Sequence, residues 1–372
     1  MSIVKSIELN LFSALSYIVP KDKNLYCFFP LHNRGSFSGN LKALYLHANE
    51  SASNSEKLVW ITTTDVIKNQ LCEKGFSVVK KRFPFWILLR AGTVLVDTSG
   101  GRFYGKFNIV QVWHGTGFKN IGVLDKKRRR SVWKSEHTNY NLFVANSQDD
   151  RERKEKSYPG ATIVVTGSPR NDLFFQSESE PGCMKEKYNL HHYSKIYSYT
   201  PTFRETSSKK PFTDRFWENV NKRLAESNSL FVVKKHPYEK ILQIPGNLSN
   251  VKDLSGKVAD VQELLVFTDV LISDYSGIVT DFALLKKPLI FYMYDYSEFL
   301  ENCRNFYYDI KDVLPGPFPE KEEQLLEYMF NLDWFQGSGY QNNYNAFLSK
   351  FHSFADGKSS KRVWDKIQRR KT

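Results

Sequence analysis

Asp269-Val-Leu-Ile-Ser-Asp-Tyr-Ser-Gly277 is the stretch on which the fold turns. The apolar run Val270-Leu-Ile ends in a Ser/Asp turn. Residues 278–285 then carry helical spacing, and Lys286-Lys287-Pro288 leads into a second apolar run at 288–292. Strand, turn, helix, strand is a βαβ unit, which calls for a parallel sheet. The turn offers hydroxyls and backbone N–H groups at a helix start, where phosphate binds through those groups and the positive end of the macrodipole. A Ser or Asp there also serves as a simple helix cap with no ligand. Gly277 weakens the capping reading a little, because it allows close backbone approach.

The same alternation extends in both directions. Strands are expected at residues 25–29, 58–62, 93–96, 108–113, 142–145 and 162–166, then at 195–199, 230–234, 270–273 and 288–292. Helices are expected between them at 40–49, 212–225, 261–268 and 277–285. The polar segment 176–192, with Pro181-Gly182, reads as a linker. A chain of 372 residues exceeds what one core usually serves, so two α/β domains follow, 1–180 and 181–372. The sequence shows no internal repeat.

Composition narrows the class. With 41% hydrophobic and 25% charged residues, the chain is neither collagen-like, nor a disulfide scaffold, nor wholly disordered. Lys and Arg number 53 against 40 Asp and Glu, a net +13 and a pI near 9.3, which points to an acidic partner. Cys27, Cys72, Cys183 and Cys303 are far apart, which suits reduced thiols of an intracellular protein and gives no metal-ligand spacing. No apolar run is long enough to span a bilayer. Residues 3–18 are amphipathic, and they either pack on the first domain or lie on a membrane surface. The tail beyond Asp356 is basic and is expected to fray or to bind an anionic surface.

Two further strands end in histidine. Residues 108–113 lead into His114-Gly-Thr-Gly117, at a strand end of the kind that binds ligands in open α/β sheets. His114 there is either a general base or a partner of the loop backbone. Residues 230–235 lead into His236-Pro237, which taken alone is an ordinary strand-end turn, with Lys234 and Lys235 suited to an anion. Thr202 and Arg204 follow another strand, and Arg170 follows the last strand of the first half. Either arginine suits bidentate phosphate recognition or a structural ion pair.

The chain resembles the CDP-glycerol glycerophosphotransferase family, which includes teichoic-acid primases and polymerases and related capsule enzymes. The matching segments run in family order: Val19-Pro-Lys-Asp-Lys-Asn24, Ser38-Gly-Asn-Leu-Lys-Ala-Leu44, Trp113-His-Gly-Thr116 and Thr166-Gly-Ser-Pro-Arg-Asn-Asp172. After the linker come Thr200-Pro-Thr-Phe-Arg204, Lys235-His-Pro237, Ser273-Asp-Tyr-Ser276, Asp281-Phe-Ala283 and Tyr308-Asp-Ile-Lys-Asp-Val-Leu-Pro-Gly316. Two positions depart from the pattern: Gly117 stands where Pro is usual, and Gly277 where a second Ser is common.

The resemblance implies a GT-B fold, α/β with two Rossmann-like domains whose parallel sheets face across a cleft. The N-terminal domain would bind acceptor and the C-terminal domain CDP-alditol. The implied reaction moves glycerol phosphate, or ribitol phosphate, to a hydroxyl of a lipid-linked or polymeric glycan acceptor and releases CMP. His114 and His236 would be catalytic. Thr202, Arg204, Lys235, Ser273, Asp274, Ser276, Gly277 and Asp281 would hold the donor. Gly115, Thr116, Arg170, Asn171 and Asp172 would meet the acceptor. By its position after the His114 motif, the block Lys126, Lys127, Arg128, Arg129 and Arg130 either contacts an anionic polymer or membrane or is a solvated charged face. No obligatory cofactor or metal is expected, with magnesium at most stimulatory, and the expected setting is the cytoplasmic face of a bacterial membrane. Two other readings remain: a GT-B glycosyltransferase using a nucleotide sugar, and a basic nucleic-acid-binding protein, for which no recognised module appears.

Overall fold

The computed structural model describes residues 3–31, 36–80, 85–98, 105–125, 140–177, 180–204, 209–236, 239, 241–302 and 306–370; side chains 3–10, 85 and 302 are outside that description. The chain divides into two compact units. The first holds Met1–His114, Ile121–Leu173 and His352–Thr372; the second holds Gly115–Asn120 and Phe174–Phe351.

The first unit is built on seven parallel strands: β1 (Asp22–Phe29), β2 (Lys57–Thr62), β3 (Val78–Lys80), β4 (Ala91–Val96), β5 (Ile109–Gln111), β6 (Tyr140–Ala145) and β7 (Ile163–Val165). Their order is β3-β2-β1-β4-β5-β6-β7. Apolar residues cover both faces of this sheet. One layer gathers Phe12, Leu25, Val94, Ile109 and Phe143, and the other Phe28, Leu41, Trp60, Val110 and Trp364. Continuous apolar strands such as Leu25–Phe29 are what a sheet buried on both faces requires.

The second unit has five parallel strands: β8 (Lys195–Tyr199), β9 (Ser229–Val233), β10 (Val251–Asp253), β11 (Val270–Ser273) and β12 (Leu289–Phe291), in the order β10-β9-β8-β11-β12. Leu230, Leu271 and Leu289 pack on one face, and Phe231, Ile272 and Ile290 on the other. The stretch 269–292 forms the expected unit, β11 and β12 pairing in parallel through Leu271 and Leu289.

Three expectations change. The segment 176–192 is not a plain linker, because Pro181–Lys187 is helical, with proline in the first turn where its missing N–H costs nothing. The units part at Leu173 and Phe174 rather than at 180, and residues 352–372 return to the first unit. The basic tail is not frayed: Ser359–Arg369 is a helix that buries Val363, Trp364 and Ile367 on the first sheet's Tyr26 side, with Trp364 at 5.0 Å from Tyr26. The helix Ile3–Ile18 packs through Phe12, which stacks on Phe107 at 5.2 Å, and through Ser16, which accepts from Lys106 N; Leu11, Tyr17 and Ile18 stay exposed. No described helix is long and apolar enough to cross a membrane.

Candidate active site

In the first unit, β5 runs on through Val112 and Trp113 to His114 at the carboxyl edge of the sheet, beside Asp97 at the end of β4. Order reverses around β1 and β4, and open sheets of this kind bind ligands outside such edges. Trp113 adopts φ 58°, a left-handed backbone that costs a bulky residue about 1–3 kcal/mol and persists only if neighbours impose it. They do. Buried Asn40 donates from Nδ2 to Val112 O (2.8 Å) and Trp113 O (3.0 Å), and its Oδ1 accepts from Arg170 N (3.0 Å). Arg170 Nη1 donates to His114 O at 2.6 Å. His114 Nδ1 lies 2.9 Å from Asp97 O. A carbonyl only accepts, so Nδ1 carries the proton and Nε2 the lone pair, the tautomer a base needs.

The expected acceptor residues divide differently. Gly115 and Thr116 belong to the second unit, and Thr116 is buried, its carbonyl accepting from Thr280 Oγ1 at 3.3 Å. Asp172 is buried and caps the C-terminal helix: Oδ1 accepts from Ser359 N (2.8 Å) and Oδ2 from Ser360 N (2.7 Å). Carboxylate at a helix N-terminus meets both unpaired N–H groups and the dipole. Thr166 O also accepts from Arg362 Nε, so the segment 166–172 docks that helix. Asn171 is buried too. The block Lys126–Arg130 lies outside the described residues.

In the second unit, the segments 200–204 and 273–277 leave β8 and β11, the pair at which this sheet reverses order. They are braced against each other. Asp274 is fully buried and accepts from Thr202 N (3.0 Å), Thr202 Oγ1 (2.7 Å) and Arg204 Nη1 (2.8 Å). Arg204 also forks onto Asp295, Nε to Oδ2 at 2.7 Å and Nη2 to Oδ1 at 2.9 Å, and donates to Thr202 O. Burial opposes its charge, but Asp274 and the bonds to Asp295 raise its pKa further. Arg204 and Asp274 therefore brace the two loops against each other. Ser273 donates to Thr200 O, Lys235 pairs with Asp253 at 2.7 Å, and Asp281 accepts from Gln262 Nε2.

Two expected donor groups of this cluster remain partly exposed. Ser276 is half-buried, its Oγ accepting a long 3.4 Å bond from Ile278 N, and Gly277 starts the helix Ile278–Ala283. That helix is six residues, shorter than expected, so its dipole is modest and the local N–H groups matter more. Gly277 has an ordinary αR backbone; it is glycine for space, since a Cβ would stand 2.6 Å from Thr116 O and 3.1 Å from Gly117 Cα. The two departures from the family pattern thus touch each other. His236 is exposed with one face against Phe203, ring centroids 5.7 Å apart. Desolvation, with Lys119 nearby and Glu239 opposing, lowers its pKa and keeps it neutral near pH 7. Pro237 lies outside the described residues. Asn40, Asp97 and Asp295 were given no role by sequence reasoning; the one signal was Asn40 inside the matched segment Ser38–Leu44.

The family model described as CDP-Glycerol:Poly(glycerophosphate) glycerophosphotransferase matches residues 11–369. A teichoic acid glycerol-phosphate transferase of Staphylococcus aureus (strain NCTC 8325 / PS 47) is 26% identical over 371 residues, 93% of this chain and 93% of its own length. A teichoic acid poly(ribitol-phosphate) polymerase of Bacillus spizizenii (strain ATCC 23059 / NRRL B-14472 / W23) is 30% identical over 277 residues, 70% of this chain but 43% of its own length. The solved structure of the wall teichoic acid polymerase TagF superposes with a TM-score of 0.80 at 22% identity, covering 99% of this chain and 96% of that one, which establishes a shared fold. With the match running across nearly every residue, the chain belongs to the CDP-glycerol:poly(glycerophosphate) glycerophosphotransferase family.

Proposed function

We propose that the chain transfers glycerol phosphate, or ribitol phosphate, from a CDP-alditol to a hydroxyl of a lipid-linked or polymeric glycan acceptor, releasing CMP in teichoic-acid or capsule synthesis. The observation that carries this reading is His114, held at a strained strand end with Nδ1 bound to Asp97 O. The acceptor oxygen attacks the phosphorus bearing the alditol while His114 Nε2 takes its proton. The bond from that phosphorus to the bridging oxygen breaks, and the electron pair leaves with CMP. His236, neutral before donor binds, hydrogen-bonds that departing oxygen. Phosphoryl transfer asks mainly for positioning and charge stabilisation, to which Ser276 and the Gly277 N–H contribute. No resident metal is assigned, so protein treated with EDTA should keep turnover, magnesium acting at most as a stimulant.

Attachment is peripheral, at the cytoplasmic face of the membrane. Exposed Leu11, Tyr17 and Ile18, with exposed Trp86 on the neighbouring helix Phe85–Arg90, support this, as does the basic charge.

The test is CMP release from CDP-glycerol and CDP-ribitol with a polymeric acceptor. His114→Ala and His236→Ala should each lower turnover by roughly two or more orders of magnitude with circular dichroism unchanged. A folded variant with near-wild-type turnover removes that histidine from the chemistry. Release of UDP from UDP-sugars, with no CMP from either CDP-alditol, would replace the reading with a glycosyltransferase.

A further inference from the structure

We propose that Asn40 is a positioning residue for His114, setting where the imidazole stands without touching substrate. The inference rests on reading His114 as the general base. Asn40 opens the helix Gly39–Ser51, whose Leu41, Leu44, Tyr45 and Ala48 are buried in the first unit's core. An asparagine in a first turn usually turns back to cap its own helix. This one does not. Its side chain reaches across to the strand end, and the helix start at Ser38 has no side-chain cap bond.

Asn40 uses both amide hydrogens, one on Val112 O and one on Trp113 O, the two carbonyls immediately before His114. Trp113, which carries the second of those carbonyls and directly precedes His114, has a left-handed backbone that needs external support. The Asn40 oxygen accepts from Arg170 N, and Arg170 returns a bond to His114 O. Three segments distant in sequence therefore close on the peptide bonds that carry one imidazole. Asn40 is only 3% exposed, so each lost bond leaves a buried polar group unpaired. A group held this way acts through geometry, and small misplacements of a base are costly in rate.

The experiment is a double-mutant cycle in the full chain, with wild type, Asn40→Ala, His114→Ala and the double variant, following CMP release from CDP-glycerol. Asn40→Ala should lower kcat roughly 10–100-fold while leaving KM for CDP-glycerol nearly unchanged. In the His114→Ala background the same change should cost less than about twofold, because the residue it positions is gone. Asn40→Asp keeps the size and the acceptor but not the two donated bonds, and should lose kcat likewise. An equal loss in both backgrounds overturns the proposal, as does unchanged kcat in folded Asn40→Ala. If neither Asn40 variant gives a native melting transition, Asn40 belongs to folding and the proposal is overturned. Wild-type turnover in His114→Ala defeats the reading of the base itself, and the positioning role with it. That result is distinct from a protein that needs His114 and ignores Asn40.

Discussion

Arg204 stands between two buried carboxylates, Asp274 and Asp295, and joins the loops that leave β8, β11 and β12. Arg204→Ala would leave both acids without their cation, a defect of the kind that costs about 3–5 kcal/mol. Arg204→Lys keeps the charge but cannot fork onto Asp295, so it too should be destabilised. Urea denaturation of the full chain measures both, and an unshifted midpoint in Arg204→Ala would return the guanidinium to direct phosphate binding. The sequence made the arginine visible beside a strand end but left its role open between phosphate and ion pair. Its partner Asp295 lies 91 positions away, and no local pattern announces such a pairing. The same holds for Asp172, read as an acceptor contact, whose partners Ser359 and Ser360 come from the far end of the chain. His114 was legible because an apolar strand running into His-Gly-Thr-Gly is a local signal, whereas the Asn40 clamp that steadies it is made entirely of long-range bonds.

Apolar runs such as Lys195–Tyr199 and Val270–Ser273 appear in the structure where their patterning put them, because strands buried on both faces must be continuously apolar. The edge strands Val78–Lys80 and Val251–Asp253 were not anticipated. Each has three residues and a lysine, so neither carries a run to read. Ser359–Arg369 was masked differently: its lysines and arginines suggested a solvated tail, while Val363, Trp364 and Ile367 form a narrow stripe on one helical face. That stripe buries against the helix Gly39–Ser51 and β1, so removing residues 359–372 should uncover the core of the first unit. Trp364→Ala alone should cost about 3–5 kcal/mol. Thermal melting and limited proteolysis read both; a truncated protein that melts as wild type would make the helix an ornament.

At the scale of the molecule, +13 of net charge favours anionic surfaces over neutral ones. The chain should sediment with vesicles containing anionic lipid, release in high salt and ignore neutral vesicles. Because Phe12 and Ser16 are tied into the first unit, deleting the helix Ile3–Ile18 would confuse anchoring with stability. Replacing exposed Leu11, Tyr17 and Ile18 with serine separates them: vesicle binding should fall while the melting temperature holds. Equal binding by that variant would move the contact elsewhere. The return of residues 352–372 to the first unit also bears on synthesis. A ribosome delivers the second unit's strands before the first unit has its last helix. The unit that starts first is completed last, and the part of its Tyr26 face that Val363, Trp364 and Ile367 cover stays open throughout translation of residues 174–351. At about 5–20 residues per second that interval lasts many seconds, and through it an apolar patch that the finished protein hides is open to non-native contacts.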